Sequence, residues 1–185
     1  MFRRLVVLIL FCALAYAAYP WLSLALYGFR LASMPLPSSL NMPVEGVEVR
    51  QLRDTWQAFR TSSRRHEGID IFAARGTPVR ASVEGIILRI EETNLGGKVV
   101  WVMGPGNQRH YYAHLDRIAD IKPGQRVQAG SLLGYVGNTG NAASTPPHLH
   151  YGVYGAGGAI NPFPLLAGAQ ARAGSADKRS PRANP

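Results

Sequence analysis

Apolar residues follow three regimes along this chain. From Leu5 to Phe29, 25 consecutive residues carry no charge. As a helix that run reaches about 37 Å, more than the roughly 30 Å hydrocarbon core of a bilayer. Arg3 and Arg4 precede it, as on a cytoplasmic flank. Between Pro43 and Leu166 the apolar residues come in short runs rich in Val, Ile, Leu and Tyr, broken by Gly, Pro, Asn and Asp. From Ala167 to Pro185 no large apolar residue remains, so residues 167–185 read as a disordered basic tail.

The middle regime predicts strands. They are expected at Gly68–Phe72, Thr77–Ala81, Gly85–Glu91, Lys98–Met103, Arg109–His114, Leu132–Val136 and Leu149–Tyr154. Only Val49–Arg60 shows any helical period, and it is short. Gly76-Thr-Pro-Val79-Arg-Ala81 and Gly124-Gln-Arg-Val127-Gln-Ala129 share the pattern Gly-x-x-Val-x-Ala, 48 residues apart. Each is followed by a Gly and an apolar run, which suggests a duplicated hairpin unit. The expected fold is all-β, a compact antiparallel sheet or sandwich over residues 43–166. An N-terminal membrane segment at 1–29 and a Pro- and Ser-rich tether at 30–42 precede it.

Two readings compete for the N-terminus: a signal peptide cleaved after Ala15-Tyr16-Ala17, or a retained signal-anchor. Cleavage would leave AYPWLSLALYG at the new terminus, too apolar to stand free in water, which favours the anchor. Either way the rest of the chain is exported. The one cysteine, Cys12, lies in this run, so the domain holds no internal disulfide. The formal charge of +9 comes from 17 Arg and 3 Lys against 11 acidic residues. The basic residues are scattered, without a recognition-helix pattern. Attraction to an anionic envelope polymer or lipid accounts for the charge as well as nucleic acid does, and no nucleic-acid partner is expected.

Chemistry concentrates in the histidines. His148 and His150 are two apart in a strand-forming context, so both imidazoles face one side. His66 and Asp70 are four apart with Gly68 between them, where a loop-to-strand turn could aim both at one point. Glu67 is the rival carboxylate. A catalytic zinc takes about three protein ligands, and with Cys12 out of reach these must be His and Asp or Glu. His114 closes Tyr111-Tyr112-Ala113-His114. Strand alternation puts His110 and Tyr112 on its face, and His110 reads as a surface residue or one lying behind the site.

The segments His-x-x-x-Asp (His66–Asp70), Tyr-x-His-Leu (Tyr112–Leu115) and Pro-His-Leu-His (Pro147–His150) resemble, in order and spacing, the lysostaphin-type zinc endopeptidases. The likeness extends from about Asp54 to Pro162. It includes the flanks Arg64-Arg-His-Glu-Gly-Ile-Asp-Ile71 and Gly137-Asn-Thr-Gly-Asn141. The resemblance implies an antiparallel fold with a duplicated hybrid motif and one Zn2+ per chain on His66, Asp70 and His150. It also implies that His114 and His148 act as general base and transition-state stabiliser. The implied substrates are peptidoglycan peptides. The implied location is the bacterial envelope, anchored in the inner membrane with the domain facing the periplasm or exterior. A rival from another class is a non-catalytic envelope factor that binds peptidoglycan or activates another hydrolase. A regulatory envelope protein is a further partner to expect. A biotinyl or lipoyl carrier would leave the histidines unexplained.

Overall fold

The computed structural model describes residues 2–61 and 64–168; the tail from residue 169, expected to be disordered, lies outside them. Helix α1 spans Phe2–Ser33, longer at both ends than the uncharged run. Pro20 sits inside it. Among the described residues α1 is the one helix long and apolar enough to cross a membrane. Beyond the helix, Leu40 is buried and its N–H donates to the Leu165 carbonyl at 2.9 Å.

Eleven strands follow among the described residues: β1 (Phe59–Thr61), β2 (Arg64–Arg65), β3 (Ile69–Phe72), β4 (Pro78–Arg80), β5 (Gly85–Thr93), β6 (Gly97–Met103), β7 (Arg109–Ile118), β8 (Arg126–Val127), β9 (Leu132–Val136), β10 (His148–Gly155) and β11 (Gly158–Ile160). All ladders are antiparallel, in the order β11-β10-β7-β6-β5-β8, with β3 on β10 and β9 on both β4 and β7. The all-β expectation holds, and each predicted strand is present with ends shifted by a few residues. β1, β2, β8 and β11 are too short for a hydrophobic period to register. The helical hint at Val49–Arg60 reduces to a single 3₁₀ turn at Val49–Gln51. A short helix over 163–168 closes the described chain.

The repeated Gly-x-x-Val-x-Ala pattern is a structural duplication with exchanged arms. Gly76 N–H donates to the Val136 carbonyl and Val136 N–H to the Thr77 carbonyl; Gly124 N–H donates to the Ile87 carbonyl and Ile87 N–H to the Gln125 carbonyl. Both glycines have a positive φ, +84° and +82°. So β4 pairs with β9, the strand after the second copy, and β8 with β5, the strand after the first. Val79 and Val127 enter the same core. One face of the sheet supplies that core through Ile69, Ile71, Tyr112, Leu149, Tyr151 and Val153. Each large side chain among them contributes about 1.5–3 kcal/mol on burial. The other face carries Asp70, His148 and His150.

His110 is not a surface residue. It is wholly buried on the core face of β7, with Nδ1 2.8 Å from the Tyr151 hydroxyl. Burial pushes its pKa from 6.5 down to about 4. The unfolded chain binds a proton at a pH where folded His110 does not, so stability is complete above pH 6.5 and lost as pH falls toward 4. The whole shift is worth about 3 kcal/mol. His110→Gln keeps a partner for the Tyr151 hydroxyl and removes the titration. Melting temperature should therefore fall more steeply between pH 6.5 and 4 in the parent than in this variant; parallel curves would refute the assignment.

Candidate metal centre and cleft

The register of β10 builds the centre. On one edge His150 stands opposite Asp70 of β3; on the other it stands opposite Ala113 of β7. Leu149 and Tyr151 anchor the strand in the core, which leaves His148 and His150 on the opposite face. His66, just before β3, completes the group. His66 Nε2 lies 2.8 Å from His150 Nδ1 and 3.1 Å from Asp70 Oδ1, and His150 Nδ1 lies 3.1 Å from the same oxygen. Tetrahedral zinc with bonds of about 2.0–2.1 Å puts ligand atoms about 3.3 Å apart, so the triangle has the size of one face of a zinc site. His66 and Asp70 are 3% and 7% exposed, and lone pairs this crowded and buried call for a cation.

Main-chain carbonyls fix three tautomers. Nδ1 of His66 lies 2.7 Å from the Thr55 carbonyl, Nδ1 of His114 lies 2.9 Å from that of Thr139, and Nδ1 of His148 lies 2.8 Å from that of Pro146. A carbonyl only accepts, so each Nδ1 carries a proton and each ring turns its Nε2 to the site. Thr55 serves twice, because its Oγ1 accepts the Asp70 N–H at 3.0 Å. Thr139 also serves twice: its Oγ1 accepts from Lys98 N–H and donates to the Leu115 carbonyl.

His114 reaches the cleft through a bulge. Between the pairs Lys98↔Leu115 and Val100↔Tyr112, β6 has one residue and β7 has two, Ala113 and His114. His114 takes the extra place with φ +63°, a region that costs a non-glycine side chain energy. The shared face expected for His110, Tyr112 and His114 is thereby broken. His110 and Tyr112 stay in the core, while His114 lines the cleft beside His148, with ring centroids 5.0 Å apart. Burial, with the neighbouring His150 and His148, lowers its pKa to about 4 against weaker upward pulls from the Thr139 carbonyl and Asp70. At neutral pH His114 is an uncharged proton acceptor.

The structure thus brings the five expected site residues together: His66, His114, His148 and His150 line one cleft, and Asp70 lies against His66 and His150. Glu67 is exposed and outside the ligand group. Gly68 serves by lacking a side chain rather than by bending the chain: a Cβ there would stand 2.6 Å from the Tyr151 carbonyl and 2.9 Å from the His150 ring. The cleft encloses about 370 Å3, with Trp101, Tyr111 and Tyr154 among its lining residues. Trp101 and Tyr111 pack with ring centroids 4.5 Å apart, and Tyr111 meets His150 edge-on. Arg65 stands at its rim, its guanidinium 3.7 Å from the centre of the Phe59 ring. Sequence reasoning passed over Thr55, Thr139, Tyr111 and Tyr154. The threonines act through a carbonyl and a hydroxyl that no spacing rule reveals, and the aromatic wall needs β6, β7 and β10 side by side.

The β-sheet fold thus carries two histidines and an aspartate in the arrangement of a candidate metal centre. Residues 64–162 match the model of Peptidase family M23, just over half of the chain, and the protein belongs to that family. The chain is 38% identical over 126 residues to the L-Ala–D-Glu endopeptidase of Bacillus subtilis, covering 62% of this chain and 39% of that one. It is 43% identical over 88 residues to the glycyl-glycine endopeptidase ALE-1 of Staphylococcus capitis, covering 46% and 24%. It thus spans less than half the length of either curated relative. Among solved structures, the catalytic domain of lysostaphin from Staphylococcus simulans matches with a TM-score of 0.56 at 28% identity, over 64% of this chain and 95% of that one. A peptidase M23 structure from Pseudomonas aeruginosa gives 0.58 at 31% identity, over 78% and 58%.

Thr55→Val keeps the carbonyl under His66 and removes the acceptor for the buried Asp70 N–H. The expected cost is about 1–3 kcal/mol of stability and roughly 10–100-fold in metal affinity. Thermal melting and competition with a chromogenic chelator measure the two effects. Unchanged metal affinity would mean that Thr55 does not orient Asp70.

Proposed function

We propose that this chain is a zinc endopeptidase that cuts peptide cross-links or stem peptides of bacterial peptidoglycan, with one Zn2+ per chain held by His66, Asp70 and His150. The observation that carries this reading is the convergence of those three ligand atoms beside two further imidazoles whose Nε2 lone pairs open into one cleft. M23 is a family of zinc-dependent peptidoglycan endopeptidases, and the relatives named above include an L-Ala–D-Glu and a glycyl-glycine endopeptidase. The two relatives differ in the bond named for them.

When bound, the ion supplies Lewis acidity at the scissile carbonyl and lowers the pKa of a coordinated water to about 7. The chain's own groups do the rest. His114, neutral and locked with Nε2 toward the cleft, accepts the proton of the attacking water. His148 Nε2 lies 3.9 Å from Asp70 Oδ1. His148 takes a proton on Nε2 from solvent in the cleft, donates it in a hydrogen bond to the oxygen that gains charge as the carbonyl becomes tetrahedral, and returns it to solvent when the tetrahedral carbon collapses. The protonated His114 returns its proton to the leaving amine. Trp101, Tyr111 and Tyr154 form an apolar wall for the peptide, and Arg65 offers a cation at the rim for a substrate carboxylate. Helix α1 is retained as the anchor, in the inner membrane of the envelope with the domain on the periplasmic or outer side.

The test uses the full chain in detergent, with metal counted by mass spectrometry and purified murein digested and its fragments weighed. The parent should hold about one zinc and release peptide fragments. His150→Ala should lose both. His148→Ala, and His114→Asn (asparagine tolerates the left-handed conformation), should keep the zinc and lose roughly 10²–10⁴-fold in rate. Stoichiometric zinc without any cleavage would instead favour the non-catalytic factor.

A further inference from the structure

Helix α1 changes character part-way along. Every residue from Phe2 to Leu22 is exposed, whereas Ser23, Leu24, Tyr27 and Gly28 are half-buried and Leu31 is buried. Their spacing of i, i+1, i+4, i+5 and i+8 is one stripe of a helix. The uncharged part of that bare stretch, the 18 residues Leu5–Leu22, amounts to about 27 Å of helix, close to the roughly 30 Å of a hydrocarbon core. Contact with the domain therefore begins where the bilayer would end. Tyr19, Trp21 and Tyr27 cluster at that level, as aromatic residues do at a membrane interface.

The contacts along the stripe form a ladder. Leu24 packs over Gly124 in the turn before β8. Arg126 of β8 donates to the Ser23 carbonyl, and its guanidinium lies 4.6 Å from the centre of the Tyr27 ring. Glu84, next to β5, accepts from the Tyr27 hydroxyl at 3.0 Å and from both terminal nitrogens of Arg30 at 3.2 and 3.1 Å. Gly28 is covered by Ile86 of β5 and Met103 of β6, and Leu36 lies against Gly106 beyond β6. Going up the chain one thus meets β8, β5, β6 and the β6–β7 turn, which is the strand order of the sheet.

From this we propose that the last three turns of α1 are a rigid mount. The mount sets the β8 edge and its Lys122–Arg126 turn against the polar surface of the bilayer and holds the cleft at a fixed height above it. The proposal rests on the reading of α1 as a retained anchor. β7 and β10, which carry the site, are three and four strand spacings beyond β8, or about 14–19 Å at roughly 4.8 Å each. Lys122 and Arg126, at the lower edge, suit contact with anionic headgroups. The enzyme then works on a narrow shell of wall close to the membrane, whereas a flexible tether would let the cleft sweep a range of heights.

Cys12 is the single cysteine, so a Cys12→Ala background accepts one label at a chosen place. The full chain is placed in nanodiscs of phosphatidylethanolamine and phosphatidylglycerol, with a nitroxide on a fraction of the headgroups. A fluorophore is attached at Pro123→Cys, in the lower turn, or at Ser144→Cys, in the exposed loop beside the cleft. Quenching should be at least about threefold stronger at position 123 than at 144. Combining Glu84→Ala with Arg126→Ala should bring the two sites within about a factor of two. Equal quenching in the parent, or a ratio untouched by the double variant, would overturn the mount. Failure of the anchor reading looks different: the labelled protein would leave the nanodiscs with a mass short of its N-terminal segment.

Discussion

The pairing of β10 with β3 on one edge and β7 on the other is the constraint on which this protein depends. It sets Asp70 and His150 directly across one ladder and brings Ala113 and His114 alongside. A slip of one residue in β10 would exchange His148 and His150 for Leu149 and Tyr151, burying two imidazoles and exposing two core side chains. Packing on the core face and chemistry on the cleft face are therefore two sides of one register. The core residues Leu149, Tyr151 and Val153 keep that register, and the site inherits it.

Holding four imidazoles and a carboxylate in so little space works against folding, and the structure offsets the cost by supplying partners. Each δ-nitrogen of His66, His114 and His148 meets a carbonyl, and Asp70 N–H meets Thr55 Oγ1. The strain at His114, φ +63°, persists because the bulge is tied down on several sides: His114 N–H donates to the Gly96 carbonyl at 2.7 Å, and Thr139 grips both neighbouring strands. Within β7 the strain falls on the residue whose side chain leaves the core face. The same logic extends outward to α1, where one glutamate, Glu84, gathers a tyrosine and an arginine of the helix and fastens it to the sheet.

Much of this was legible in the chain. Alternation in Leu149–Tyr154 and Gly68–Phe72 predicted the strands and the shared face of His148 and His150, and the uncharged run predicted the long helix. The repeated Gly-x-x-Val-x-Ala pattern predicted a duplication. Only the fold shows that the copies exchange arms, because the bonds from Gly76 to Val136 and from Gly124 to Ile87 join residues remote in sequence. His110 and His114 mark the limit most clearly. Identical residues four apart on one strand look equivalent to a period-two rule, yet one is a core residue and the other a cleft residue.

The sequence by itself determined what is local: which segments extend, which run is apolar enough to cross a bilayer, and which side chains carry lone pairs for a metal. These follow from side-chain chemistry and near-neighbour periodicity. Tertiary structure decided what depends on distant segments meeting. The closure of His66, Asp70 and His150 into a triangle with sides of 2.8 to 3.1 Å, the bulge that turns His114 outward, the carbonyls of Thr55 and Thr139 and the seating of α1 on β8, β5 and β6 all belong there. The physical reason is that a hydrogen bond or a ligand contact has directional, sub-ångström requirements. Chain periodicity sets only the face on which a side chain stands, while cross-strand register sets where it arrives.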